Sequence, residues 1–318
     1  AYFSSGHGEK SPFDLDAQNG LSAWSEILQD RNIKVANIDL SLAKRVPDDA
    51  AMLVISGPKG TFQDQEVASI QSFLNSRGGK LILAIDPVEE LSVLDRPAFG
   101  LRSILKEWGI RCHDMLIYDA NAENYDIFTG SYILRTFLEK DNHEIIKQHT
   151  KLGLSIQSDR CRPVETLKNS DMKLTTNEIL FTSQKALGLS GWTQRKLPPE
   201  KNELLDLEGN IPVISTSARI LNSNYQSGSN GKVIVLGSSS ILSNKYLTKS
   251  SGNQLLGKNI IYWINETPEM LDIPPREVDT FTISMQKEEF GLLLYSIAII
   301  PALIALTGIF VGWLRKEL

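Results

Sequence analysis

Two periods of apolar residues alternate along the first part of the chain. AMLVISG (51–57) and LILAID (81–86) are short, nearly continuous apolar runs bounded by Gly and Pro. Such runs read as strands buried on both faces of a parallel sheet. AYFSS (1–5), IKVANIDL (33–40) and MLIYD (115–119) read as further strands. Between them the spacing changes to three and four. Leu21, Trp24, Ile27 and Leu28 share one face of a helix over 21–31. Val67, Ile70, Phe73 and Leu74 share a face of a second helix. Thr61 is placed to cap it, with Asp64 three residues on as a shortened capping box, and Gly78-Gly79 end it. Phe99–Trp108 predicts a third helix. Strand and helix in turn, with apolar strands, predict an α/β fold with a doubly wound, mostly parallel sheet.

The second part of the chain is less periodic. Residues 120–170 are polar and irregular. IPVISTSAR (211–219) reads as extended, 221–231 is a Ser/Asn/Gly loop, and KVIVLGSSS (232–240) repeats the buried-strand-plus-loop unit. Gln254–Ile264 predicts a helix, and Pro268, Pro274 and Pro275 break structure after it. The expected organisation is a first α/β lobe over 1–120, a second, smaller α/β lobe with an irregular insertion and linker over 121–280, and a terminal segment over 290–314.

That segment, FGLLLYSIAIIPALIALTGIFVGWL, carries no charged side chain. At about 1.5 Å per residue, a helix over 290–314 reaches about 37 Å, enough to cross a hydrocarbon core of about 30 Å with some tilt. A C-terminal transmembrane helix is therefore expected. Arg315 and Lys316 follow it, whereas Gln286-Lys287-Glu288-Glu289 precede it. The positive flank favours the cytoplasm, which places the globular part outside it. Ala305, Gly308 and Gly312 form a small-residue strip where a second helix could pack closely.

The net charge of −5 gives no basic footprint for nucleic acid. The two cysteines, Cys112 and Cys161, are too few for a disulfide scaffold; they form one bridge or remain two buried thiols. The chain starts inside an apparent strand without Met or an export signal. An extracytoplasmic domain needs such a signal, so an upstream segment such as a first transmembrane span is expected.

Few residues suggest chemistry. Gly252 to Asn259 (GNQLLGKN) nearly spells a phosphate-binding loop, but Asn259 replaces the metal-binding Ser or Thr and the stretch reads as helix. Ser56 to Thr61 follow a strand, where a nucleophile could sit, yet no cysteine and no histidine–acid pair accompanies them. The four histidines have no metal-ligand spacing with the cysteines, and His143 and His149 read as solvated. No cofactor, metal site or catalytic residue is expected. His7 and Glu9 lie in the Gly-rich loop Gly6-His7-Gly8-Glu9-Lys10 at the carboxyl end of the first strand, where open α/β sheets bind ligands. The loop is either a tight turn with Glu9 capping the next helix, or part of a ligand cleft with Gly57, Pro58 and Asp86 from the neighbouring strand ends.

YFSSGHGEK, LVISGPKGTFQDQEVASIQSFLNSRGGKLILAIDP, and VIVLGSSSILSN with GNQLLGKNIIYWIN occur in this order over nearly the whole chain. Together they resemble the GldG-like, gliding-motility-associated auxiliary components of bacterial ABC-2 type transporters. The resemblance implies an amidotransferase-like or flavodoxin-like extracytoplasmic domain held at the bacterial inner membrane. It implies a permease and a separate ATPase as partners, and no catalysis in this chain. Where such proteins usually carry acidic residues in a GDSDF-like turn, this chain has Gly237-Ser238-Ser239-Ser240-Ile241. The expected function is a non-catalytic auxiliary subunit. The alternative is a sensor module that binds an envelope sugar or peptide in the cleft at the strand ends.

Overall fold

A computed structural model describes residues 1–88, 97–119, 121, 124–126, 131–134, 143–168, 174–194, 199, 201–219, 231–266 and 301. In chain order, β1 (Tyr2–Ser5), α1 (Ser22–Gln29), β2 (Ala36–Asp39), α2 (Leu40–Ala43), β3 (Met52–Ser56), α3 (Asp64–Arg77) and β4 (Lys80–Ala84) follow the alternation expected from the sequence. Next come α4 (Arg102–Glu107), β5 (Ile110–Cys112), β6 (Met115–Asp119), β7 (Tyr125–Asp126), β8 (Ser131–Leu134), α5 (Lys147–Leu152), β9 (Ile156–Ser158) and β10 (Val164–Thr166). The remainder is β11 (Leu174–Phe181), β12 (Ala186–Ser190), β13 (Leu207–Glu208), β14 (Pro212–Arg219), β15 (Gly231–Leu236), α6 (Asn244–Leu247) and α7 (Ser251–Asn265).

Seven strands form the main sheet in the order β11-β14-β15-β4-β3-β1-β2. The five from β15 to β2 pair in parallel, and β14 runs antiparallel to both its neighbours. The parallel part reads 2-1-3-4-5 with β15 as its fifth member, the flavodoxin-like order. Thus β11, β14 and β15, from the stretch assigned to a second lobe, complete the same sheet as β1 to β4. The reason lies in β15: all six of its residues are buried, so it needs cover on both faces and on both edges. The remaining strands form small antiparallel sheets, β5 with β10, β6 with β12 and β13, and β7 with β8 and β9. Residues 1–275 make one compact unit.

Strand alternation divides the core into two layers. Phe3, Val54, Ile82 and Ile234 meet Trp24 and Leu28 of α1 and Leu256, Ile260 and Ile264 of α7. Leu53, Ile55, Leu81, Leu83, Val233 and Val235 face the other way, toward Ile70, Phe73 and Leu74 of α3 and Ile104 and Leu105 of α4. Helices therefore cover both sides of the sheet.

Three sequence expectations are corrected. α3 begins at Asp64 with Gln63 as its N-cap, and Glu66 rather than Asp64 reaches back to the Gln63 N–H, at 2.7 Å. Thr61 lies too early to cap, and its hydroxyl is buried without a hydrogen-bond partner. Leu40 does not continue β2: Asp39 caps α2 there, accepting from Ser41 N–H at 2.9 Å. His149 is fully buried rather than solvated, with Nε2 2.8 Å from the Gly252 carbonyl. His143 is half-buried. The stretch 290–314, with Ala305, Gly308 and Gly312, lies outside the described residues except for Pro301. Among the described residues no helix is long and apolar enough to cross a membrane.

Candidate functional site

In a parallel sheet the loops after successive strands leave from one edge, and the change of direction in strand order, here between β1 and β3, opens a crevice. Hydrogen bonds join the two loops that flank it. Lys59 and Gly60 N–H both donate to the His7 carbonyl at 2.8 Å, and Lys10 N–H donates to the Ser56 carbonyl at 2.8 Å. Gly57 makes the turn after β3 at φ +63°, and a Cβ there would lie 2.9 Å from Ser239 Oγ and 3.1 Å from Asp86 Oδ2. A side chain at 57 would thus be strained by its backbone and would collide with the loops that follow β4 and β15.

A cleft of about 670 Å³ opens among these loops. Gly8, Glu9, Lys10, Gly57 and Asp86 line it. Gly6, His7 and Pro58 belong to the same loops without lining it. Lys59 and Pro87, from the same loops, also line it, as do Asp159, Arg160 and Ser238 to Ser240, which the sequence reading missed. Ser238 to Ser240 follow a recognisable strand and were within reach of that reading. Asp159 and Arg160 come from the irregular stretch after β9, which carries no periodic signal.

The carboxylates of the cleft are bonded. Asp86 accepts Ser239 N–H and Ser239 Oγ–H, each at 2.6 Å, and Ser238 Oγ–H at 3.3 Å. Asp159 accepts Lys245 Nζ and Tyr246 O–H, each at 2.6 Å. The Glu9 side chain has no exposed surface; it accepts Ser4 O–H at 2.9 Å and His7 N–H at 2.7 Å. Glu9 therefore closes the β1 loop on itself and does not cap the next helix. The His7 ring turns from the cleft toward α3. It stacks on Phe62 with centroids 4.1 Å apart, and Nε2 lies 3.2 Å from Glu66 Oε2.

Arg162 ties the cleft floor to the small sheets. It is fully buried. Its Nε donates to the His113 carbonyl at 2.7 Å, one terminal nitrogen donates to the Asp86 carbonyl at 3.4 Å, and the other pairs with Asp114. Lys10 has no comparable partner. Burial pushes its ammonium below the usual lysine range, and the nearby Asp86 and Asp159 charges oppose that shift without cancelling it.

The phosphate-loop-like stretch is helical. Gly252 to Asn259 lie within α7, where Asn253 and Asn259 are buried and donate to backbone carbonyls of other elements. Both cysteines are free thiols. Among the described residues no group of three His, Cys, Asp or Glu side chains is placed to hold a metal ion.

The family model of an ABC-type uncharacterized transport system matches residues 2–265, which takes in the whole sheet and both helical layers. The chain belongs to this auxiliary family. No curated protein matches the chain. Among solved structures, the mmIFT52 N-terminal domain is similar in fold, with TM-score 0.57 and 17% identity over 85% of this chain and 99% of that one. A ThuA-like protein from Bacteroides uniformis gives TM-score 0.40 and 13% identity over 83% of this chain and 89% of that one. The exo-β-1,4-mannosidase Op5Man5 from Opitutaceae bacterium strain TAV5 gives TM-score 0.40 and 9% identity over 83% of this chain and 35% of that one. The first likeness is one of fold alone, and the other two carry no functional argument.

Proposed function

We propose that this member of the ABC-type transport auxiliary family is a non-catalytic, membrane-anchored subunit of a bacterial ABC-2 type, gliding-motility-like complex. Residues 1–275 then stand on the extracytoplasmic side and contact the permease or its substrate, and the apolar stretch 290–314 is the anchor. A separate ATPase supplies ATP hydrolysis. The family match over residues 2–265 carries this reading. The placement of Gly257 and Lys258 in the interior of α7 supports it, because backbone N–H groups there are spent on intrahelical bonds and cannot cradle a phosphate. The test is purification of the full chain from native inner membrane in mild detergent, followed by mass spectrometry. An ABC ATPase and a multi-span permease in fixed ratio are expected. A chain that elutes alone from intact membrane overturns the reading. Exchanging both Gly308 and Gly312 for Leu tests the anchor: insertion should persist while permease recovery falls, since Leu fills the strip where backbones could approach.

A second reading concerns the cleft. Its place at the strand-order reversal and its polar lining favour a binding role, as in a module that senses an envelope sugar or peptide. The two readings are compatible.

A further inference from the structure

The cleft holds positive and negative groups in about equal measure, so their partners decide what it lacks. Each lining carboxylate already receives a donor. Asp86 has the Ser238 and Ser239 donors, Asp159 has Lys245 and Tyr246, and Glu9 has Ser4 and the His7 N–H. Asp14, at the rim, accepts Asp16 N–H at 2.9 Å. The third lining cation, Arg160, lies over the Trp192 ring at 5.2 Å. The Lys10 and Lys59 ammonium groups, by contrast, have no hydrogen-bond or ion-pair partner among the described residues.

Their backbones are fixed all the same. Lys10 N–H is bonded to β3 and Lys59 N–H to the His7 carbonyl, so both side chains start from braced positions beside one opening. A buried ammonium with no hydrogen-bond or ion-pair partner costs free energy that the charges of Asp86, Asp159 and Asp16 offset only in part, and a directly bonded anion would supply the rest. We infer that the cleft takes a ligand bearing an anionic group, a carboxylate or a phosphate, which seats against Lys10 with Lys59 at the mouth. The inference rests on the cleft being a binding site and adds the charge its ligand must carry. The depressed titration of Lys10 agrees with it: the unliganded cleft disfavours the charged amine, and an anion restores it. A neutral polyol would satisfy the hydroxyls and leave both ammonium groups as they are.

Three matched probes test this on the full chain in detergent at low salt: glucose, glucuronate and glucose 6-phosphate. Binding is read by calorimetry, and the site is located by hydrogen–deuterium exchange at residues 6–11 and 57–60. One or both acidic probes should bind and protect these segments while glucose does not, and the comparison between them separates carboxylate from phosphate. Lys10→Met should weaken the acidic probe by at least about tenfold, because it removes a charged hydrogen-bond donor. Lys59→Met should weaken it about two- to fivefold, as for an exposed charge. Melting temperature at or above wild type shows that Lys10→Met is folded; if that variant melts lower, Lys10→Gln replaces it. Equal binding of glucose and the acidic probes, or acidic binding unchanged in folded Lys10 variants, overturns the anion inference alone. No binding and no protection with any probe overturns it together with the cleft reading.

Discussion

Asp86 holds Ser239 twice, through the backbone N–H and through the side-chain hydroxyl, each at 2.6 Å. One residue follows β4 and the other follows β15, adjacent parallel strands in the middle of the sheet. The pair therefore fixes the spacing of two loops that line the cleft. A carboxylate at 239 would face Asp86 with like charge, whereas a hydroxyl donates to it. Ser239→Ala should cost about 1–2 kcal/mol, and Asp86→Ala, which leaves both Ser239 donors without an acceptor, about 3 kcal/mol. Thermal or urea unfolding of the full chain measures both. Stabilities equal to wild type in both variants would mean that solvent, not this pair, satisfies the turn.

Asn253 fastens α7 to β9. It is fully buried; Nδ2 donates to the Gln157 and Ile241 carbonyls at 2.8 and 2.9 Å, and Oδ1 accepts Gln157 N–H at 2.8 Å. All its bonding capacity toward the backbone is used. Asn253→Ala should lose about 3 kcal/mol, since it strands a buried N–H and two carbonyls. Asn253→Asp should fare no better, because it keeps the acceptor and removes both donors. If Asn253→Asp retains wild-type stability at neutral pH, the assignment of the two donor bonds is wrong.

The sequence made the parallel core legible because its signal is local. Met52–Ser56 and Lys80–Ala84 are apolar on both faces, and the spacing of Ile70, Phe73 and Leu74 could only be helical. From those elements the loops after β1, β3 and β4 could be brought to one edge, and with them Lys10, Gly57 and Asp86. Two kinds of feature stayed hidden. Short strands such as β5 and β10 pair antiparallel across a long separation, as when Val164 meets Cys112, so no window of sequence contains both partners. The buried polar residues were hidden for a second reason. His149, Arg162 and Asn253 look like surface residues by type, and only their partners, contributed by distant segments, reveal that they are interior. Asp159 and Arg160 reach the cleft by the same non-local route.

Cys161 should resist thiol reagents. Burial pushes its thiol up to about 12, and its S–H lies 3.0 Å from Ser158 Oγ. The reactive thiolate is then scarce at neutral pH and also out of contact with solvent. Labelling of the native full chain with a maleimide at pH 7.5, followed by peptide mapping, should leave Cys161 unmodified until denaturant is added. Stoichiometric labelling in the native state would show that this side chain reaches solvent within the fold.

His143 should make the fold acid-sensitive. Its Nδ1 accepts Ile145 N–H at 3.3 Å, so a lone pair must be present there, and Nε2 lies 3.3 Å from Thr216 Oγ1. Its ring lies 5.6 Å from that of Trp263, which also carries the Lys232 ammonium over its face at 4.8 Å. Burial, and secondarily the Lys232 charge, lowers the imidazole from 6.5 to about 4. The sign follows from proton counts. Between pH 6.5 and 4 the unfolded chain binds a proton at this position and the folded chain does not, so acid favours unfolding. The stability that neutral His143 contributes is complete above 6.5 and is lost as pH falls through about 4; at about 1.4 kcal/mol per unit it amounts to about 3 kcal/mol. His143→Gln removes the titration while leaving a side-chain oxygen that can accept a backbone N–H. Urea unfolding at pH 7 and pH 4.5 should show a smaller loss of stability in the variant than in the wild type, against the same background of other titrating groups. Equal losses in the two proteins would mean that His143 is protonated within the fold and that its environment is wetter than its packing against Trp263 indicates.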